Sequence, residues 1–292
     1  MSVLAGGAAL LASLGWATGI VFAERPARLL GTFDFTRIQL VICAVTAIAL
    51  SSLFGLWASV DPGQWPAYVV SSVIGIVVGN IAMVGCLRLG GPRRAELLVS
   101  LKPLCIGLIA YLWFEELPDL RDAIGALIVM AGIVLAIAPD QQEAGNSAPL
   151  WQVIALGLLA TISQSIGFLV VKPALEAGAD PLAVTSLRLS GAAVLVTLAG
   201  AMIGARLRTG TPISARLIAQ TAFPGLLGYV LCSSLLLYAL AHMEAAVASV
   251  LGSLSPVLVL PVLWIKYRRR PTMRSTLGAV ASFLGIVVIL TG

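Results

Sequence analysis

The chain has 292 residues, of which 59% are hydrophobic and only 11% charged, and its mean hydropathy is +1.02. That excludes a water-soluble domain, in which about a quarter of residues carry charge. The net charge of +5 does not point to nucleic acid, because the basic residues sit in short segments between apolar runs, where lipid headgroups are the natural counter-ions.

In chain order, apolar stretches near the roughly 20 residues needed to cross a bilayer as a helix fall at 3–23, 36–57, 66–88, 93–114, 121–138, 150–171, 182–204, 216–241, 244–265 and 274–291. The expected fold is an all-α integral membrane protein of ten transmembrane helices, with no room left for a soluble domain. The first stretch contains no Lys or Arg, so it lacks the basic leader of a cleaved signal and is read as a retained helix. Cys43, Cys86, Cys105 and Cys232 all fall inside expected spans, without the spacing of a metal site or disulfide framework. They are read as small packing residues, and neither metal nor cofactor is expected.

Positive charge is distributed unevenly among the connections. The first, third, seventh and ninth hold Arg25, Arg28, Arg88, Arg93, Arg94, Arg206, Arg208, Arg216, Lys266, Arg268, Arg269, Arg270 and Arg274, whereas the even-numbered ones hold only Arg121 and Lys172. The positive-inside rule then places the odd connections in the cytoplasm and both termini in the periplasm of a bacterial inner membrane.

A shift of 153 positions aligns Gly75–Val134 with Gly228–Val287 without gaps. Leu101 meets Leu254, Pro103 meets Pro256, Pro118 meets Pro271, Gly125 meets Gly278 and Gly132 meets Gly285. Apolar bias aligns Leu with Leu, but it does not place prolines and glycines in register. The chain therefore reads as a duplication, residues 1–140 and 148–292. Five spans per copy make the second enter the membrane from the opposite side, the architecture on which many secondary carriers are built.

The segments Leu112-Trp113-Phe114-Glu115-Glu116-Leu117-Pro118 and Gly125-Ala126-Leu127-Ile128-Val129-Met130-Ala131-Gly132-Ile133 resemble the signature that closes each half of the EamA family in the drug/metabolite transporter superfamily. Arg37 and Arg188 resemble the arginine that family often has near the start of its second and seventh spans. Arg269 stands where the first half has Glu116, so a role for that acid is not duplicated. The resemblance implies two inverted five-helix halves around a cavity lined by spans one, three, four, six, eight and nine. It also implies transport of small organic solutes, from amino acids to nucleotide sugars. Family members commonly keep their termini in the cytoplasm, opposite to the charge count.

Lys102 lies roughly 14 Å from one end of its expected span and 18 Å from the other, too deep for its stem to snorkel comfortably to a headgroup. It reads either as the anchor for a carboxylate or phosphate of the substrate, or as a structural cation held by helix-end carbonyls or Glu96. Pro103 and its repeat mate Pro256 free a carbonyl four residues back and are expected to kink their helices at matching depth. Ser255 is the mate of Lys102, which makes the expected site asymmetric. Asn80, Gln164 and Ser233 need partners in hydrocarbon and are read as cavity lining or as interhelical hydrogen-bonding groups. Trp16 offers a flat apolar wall, and Tyr229 either lines the site or belongs to an interfacial belt. Glu96 reads as a proton carrier, with protons as the coupling ion, or as an acid complementing the helix N-terminus beside Arg93 and Arg94.

An intramembrane enzyme is disfavoured, since the single histidine, His242, lies at a span end and no metal-ligand or nucleophile-elbow motif occurs. The reading is a secondary-active exporter, monomeric or homodimeric, of a small polar metabolite such as an amino acid or related organic anion. The alternatives are an anion-conducting channel and an uptake carrier for a phosphorylated or nucleotide-linked metabolite.

Overall fold

The computed structural model describes residues 3–116, 119–137, 149–203, 214–255, 257–258, 261–262, 265 and 273–290. Pro256, the second expected kink, and the side chain of Glu96, the expected proton carrier, lie outside the described set. The regular elements among these residues are all helical, the conformation in which a lone segment satisfies its own backbone polar groups in hydrocarbon.

Helix α1 (Val3–Leu53) carries the first two spans and breaks at Gly31, whose φ of 70° and ψ of 175° lie where only glycine goes without a steric penalty. The chain continues through α2 (Trp65–Val70), a π-helical segment (Ser71–Val78), α3 (Gly79–Val99), α4 (Lys102–Phe114) and α5 (Leu120–Ile137). The second half holds α6 (Leu150–Leu169), α7 (Lys172–Glu176), α8 (Pro181–Ile203), α9 (Ala215–Gly225), a second π-helical segment (Leu226–Cys232), α10 (Ser233–His242), α11 (Ala245–Gly252) and α12 (Met273–Leu290). Among the described residues, six stretches are long and apolar enough to cross a membrane: Val3–Ala23, Arg25–Leu53, Pro62–Gly90, Leu150–Glu176, Pro181–Met202 and Ala215–His242. Lys102–Phe114 and Thr276–Ile289 are shorter apolar helices.

The expected fourth span is divided rather than kinked. Helical structure runs on to Val99, the chain turns at Ser100-Leu101, and α4 starts afresh at Lys102. Pro103 stands in the first turn of α4, where its missing N–H costs nothing and its fixed φ suits the helix. The expected ninth span divides at the mate position, α11 ending at Gly252. Leu98 O and its mate Leu251 O, beside the two breaks, each lie near a hydroxyl from the first helix of the other half, and Leu98 O also accepts from Leu101 N at 3.2 Å. Thr161 Oγ1 is 3.0 Å from Leu98 O, and Ser13 Oγ donates to Leu251 O at 2.9 Å while accepting from Leu254 N at 2.9 Å. Thr161 Oγ1 also lies 2.8 Å from Gly157 O in its own helix, so its single proton is shared there, whereas Ser13 bridges both sides of the second break.

Repeat mates α5 and α12 pack along each other, and their glycines fix the sense. A Cβ on Gly125, early in α5, would meet Gly285 O at 3.0 Å, late in α12; one on Gly132 would meet Gly278 O at 2.6 Å. The helices therefore run antiparallel, so these equivalent parts of the two copies have opposite senses. Lipid is as apolar as leucine, so close approach at small residues, rather than hydrophobic burial, holds such pairs together.

Candidate functional site

The two π-helical segments fall at equivalent places in the repeat. A π-turn carries an extra residue, reshapes the local hydrogen bonding and recurs at functional sites. Here each segment faces a cavity of about 210 Å³. Gly75 and Ile76 line it from the first half, and Gly228 and Tyr229 from the second. Trp16 Nε1 donates to Gly228 O at 3.1 Å, which ties α1 to the second π segment.

All seven residues expected to bind substrate border this one cavity: Trp16, Asn80, Lys102, Gln164, Tyr229, Ser233 and Ser255. They come from both halves. Asn80 and Tyr229 are bonded to each other, the phenol donating to Oδ1, and Asn80 Nδ2 reaches Thr36 Oγ1 at 3.3 Å. Both are thus engaged in interhelical bonds as well as facing the cavity.

Lys102 is 8% exposed and is the first residue of α4. Its Nζ lies 5.5 Å from the Trp16 ring centroid and 5.7 Å from that of Phe168, and these two rings meet edge to face at 6.5 Å. Cation and helix N-terminus add the same sign of potential. Aromatic faces offset part of the cost of burial, and the wall they form is otherwise apolar.

Arg188, which in the sequence resembles the arginine the family often has near the start of its seventh span but carries no expected role in the site, stands out in the structure. It is 3% exposed and lines the same cavity. Its Nε donates to Ser71 Oγ at 2.6 Å and its Cζ lies 4.7 Å from the Phe168 centroid. Phe168 and the buried Gln39, which bonds Thr221 O at 3.2 Å, also line the cavity. Their sequence positions, an apolar ring and an amide among many apolar neighbours, gave no signal. No group of three or more His, Cys, Asp or Glu residues placed to hold a metal occurs among the described residues.

The cavity lining extends to Ala23, Phe35, Leu87 and Pro224, toward the end at which Arg25, Arg28 and Arg88 lie in the chain. At the opposite end the halves are fastened together. Glu116, just beyond α4, accepts from Lys172 Nζ through Oε1 and from Ala245 N at 3.1 Å through Oε2. Lys172 also pairs with Glu176 at 3.3 Å and lies 5.3 Å from the Phe114 ring centroid. Nearby, Asp180 N donates to Ser59 Oγ at 2.9 Å. A set of polar cross-links thus joins the halves at this end.

The profile of the EamA-like transporter family matches residues 4–138 and again 151–291. A crystal structure of a protein 19% identical in sequence superposes with a TM-score of 0.78, over 97% of this chain and 95% of that one. No curated protein matches.

Proposed function

From the premise that this chain belongs to the EamA-like transporter family, we propose that it is a secondary-active exporter of small organic anions, amino-acid relatives among them, working by alternating access in a bacterial inner membrane. The observation that carries this reading is Lys102, buried at a helix start and bordering a cavity built from both halves. A buried ammonium among hydrocarbon is costly and marks a pathway. With odd connections cytoplasmic, as loop charge suggests, the cavity opens inward and the Glu116–Lys172 cross-links close the periplasmic side, the arrangement an exporter needs in order to load.

Lys102 binds the anionic group of the substrate, while Trp16, Asn80, Gln164, Tyr229, Ser233 and Ser255 shape the remainder. Losing a charge-assisted contact of about 1.5–3 kcal/mol predicts that Lys102→Ala lowers flux into proteoliposomes at least tenfold while leaving the fold intact. A thermal-shift screen of small anions and amino acids on the purified protein supplies the ligand, since binding to the native state raises Tm. Undiminished flux in folded Lys102→Ala removes the lysine from the site. Counterflow separates carrier from channel: trans-acceleration by unlabelled solute is expected, and its absence favours a pore.

A further inference from the structure

The guanidinium of Arg188 is held on two sides. Its Nε donates to Ser71 Oγ, Ser71 is itself anchored by donating to Gly167 O at 2.5 Å, and the Phe168 ring lies against its carbon. Among the described residues no carboxylate pairs with it, and the one hydrogen bond of its side chain is that to Ser71. Arginine carries five N–H donors in a planar fork, so the two terminal amino groups remain uncommitted. Neither of them is enclosed without a partner. They therefore reach open space, and the open space that Arg188 borders is the cavity. The free edge of the fork matches two oxygens of a carboxylate or phosphate.

Arg188 marks one end of the lining. It bonds Ser71, the first residue of the π segment, and from there the lining runs on along α3 through Asn80, Met83 and Leu87, spaced three and four apart as one helix face requires. On α1 it runs from Trp16, which meets Phe168, to Ile20 and Ala23. Each stripe covers about 10 Å, and past Asn80 and Trp16 its members are apolar. The cavity thus offers a fixed cationic fork at one end and hydrocarbon walls toward the other. We infer that Arg188 binds the carboxylate or phosphate head of an amphipathic solute whose apolar body lies along Ile20, Met83 and Leu87. This rests on reading the cavity as the transport site, and not on any role of Lys102. A small hydrophilic anion leaves the apolar stripes unfilled, and an uncharged body leaves the fork without an acceptor. Ser71, which is not among the described lining residues, acts through Arg188 as a positioning residue.

The test is thermal stabilisation of the purified full chain at neutral pH by hexanoate, hexyl phosphate, hexanamide and acetate, read as half-saturating concentration. At least one hexyl anion is expected to half-saturate about tenfold or more below both hexanamide, which lacks the charge, and acetate, which lacks the body. Which of the two anions does so tells carboxylate from phosphate recognition. Arg188→Gln is expected to raise the value for that anion about tenfold or more and to leave hexanamide unchanged, and Arg188→Lys, which keeps the charge without the fork, recovers part of the loss. Ser71→Ala weakens the anion and spares hexanamide, whereas a purely structural role would weaken both. Ile20→Ala raises the value for the hexyl anion roughly threefold or more and leaves acetate unchanged. Should Arg188→Gln not fold, the ranking of the four probes, Ser71→Ala and Ile20→Ala decide. Hexanamide or acetate binding as tightly as the hexyl anions, stabilisation by none of the four, or anion binding unchanged in Arg188→Gln overturns the inference. If hexyl-anion binding depends on Lys102 and not on Arg188, the inference fails and the anchor reading of Lys102 stands; dependence on Arg188 alone supports the inference and removes Lys102 from the site. Binding as expected without flux of the labelled anion into proteoliposomes keeps the site and overturns the carrier.

Discussion

Gly167→Ala is expected to cost at least the about 1–3 kcal/mol typical of overpacking and to abolish transport, although it adds a single methyl group. A Cβ at Gly167 would lie 2.3 Å from Gly75 Cα, and one at Gly75 would lie 2.6 Å from Gly167 Cα. Both obstacles are backbone, so no side chain can rotate away. Separating the segments also breaks the Ser71 Oγ to Gly167 O bond, on which the seat of Arg188 depends. Stability and the cavity cation are coupled through this one crossing of α6 and the first π segment. Gly7→Ala, with nothing within 4 Å of the new carbon, and Gly107→Ala, with only Ala246 Cβ at 3.6 Å, are the controls. Thermal unfolding in detergent is the measurement: Gly167→Ala should melt well below both, and equal melting temperatures would refute the crossing.

The second large effect is expected at the closed end. Lys172 is 3% exposed, and Glu116 joins its ammonium to the start of α11 through Ala245 N. Glu116→Ala leaves a buried cation with only Glu176, whose side chain is half exposed. Breaking a buried pair by removing one partner costs about 3–5 kcal/mol, and the remaining Glu176 contact places the expected loss toward the lower figure. Glu116→Ala/Lys172→Ala should recover part of the stability, because no buried charge is then orphaned, and a double-mutant cycle reads the coupling. The same loss loosens the polar cross-links between halves. In a background lacking the native cysteines, Ser59→Cys, beside Asp180, should react faster with a membrane-impermeant maleimide when Glu116 is replaced. Unchanged labelling together with unchanged stability would show that this ion pair fastens nothing.

These two sites divide the labour of the fold. Glycine crossings and broken helices make a scaffold with irregular backbone, and the cations border the space that irregularity creates. Neither the π segments nor the breaks at Leu98 and Leu251 are isolated distortions. They recur by repeat symmetry, and the hydroxyl beside each break belongs to the opposite half. Moving one half relative to the other therefore bears directly on the cavity wall.

Sequence by itself determined the membrane class, because composition alone rules out water as the solvent, and it determined the duplication, because prolines and glycines in register carry information that apolar bias does not. It also singled out Lys102, since depth along a span can be counted from its ends. Only the tertiary structure decided that Pro103 begins a helix instead of bending one, because the position of a break depends on what else can bond the carbonyls beside it, and for Leu98 O those are Leu101 N in the turn and Thr161 of the far half. Only the structure brought Arg188 to the ring beside Lys102. A guanidinium near a span start can face lipid headgroups, a neighbouring helix or a cavity with equal local propriety, and the choice is made by Ser71 and Phe168, residues whose proximity no spacing in the chain encodes.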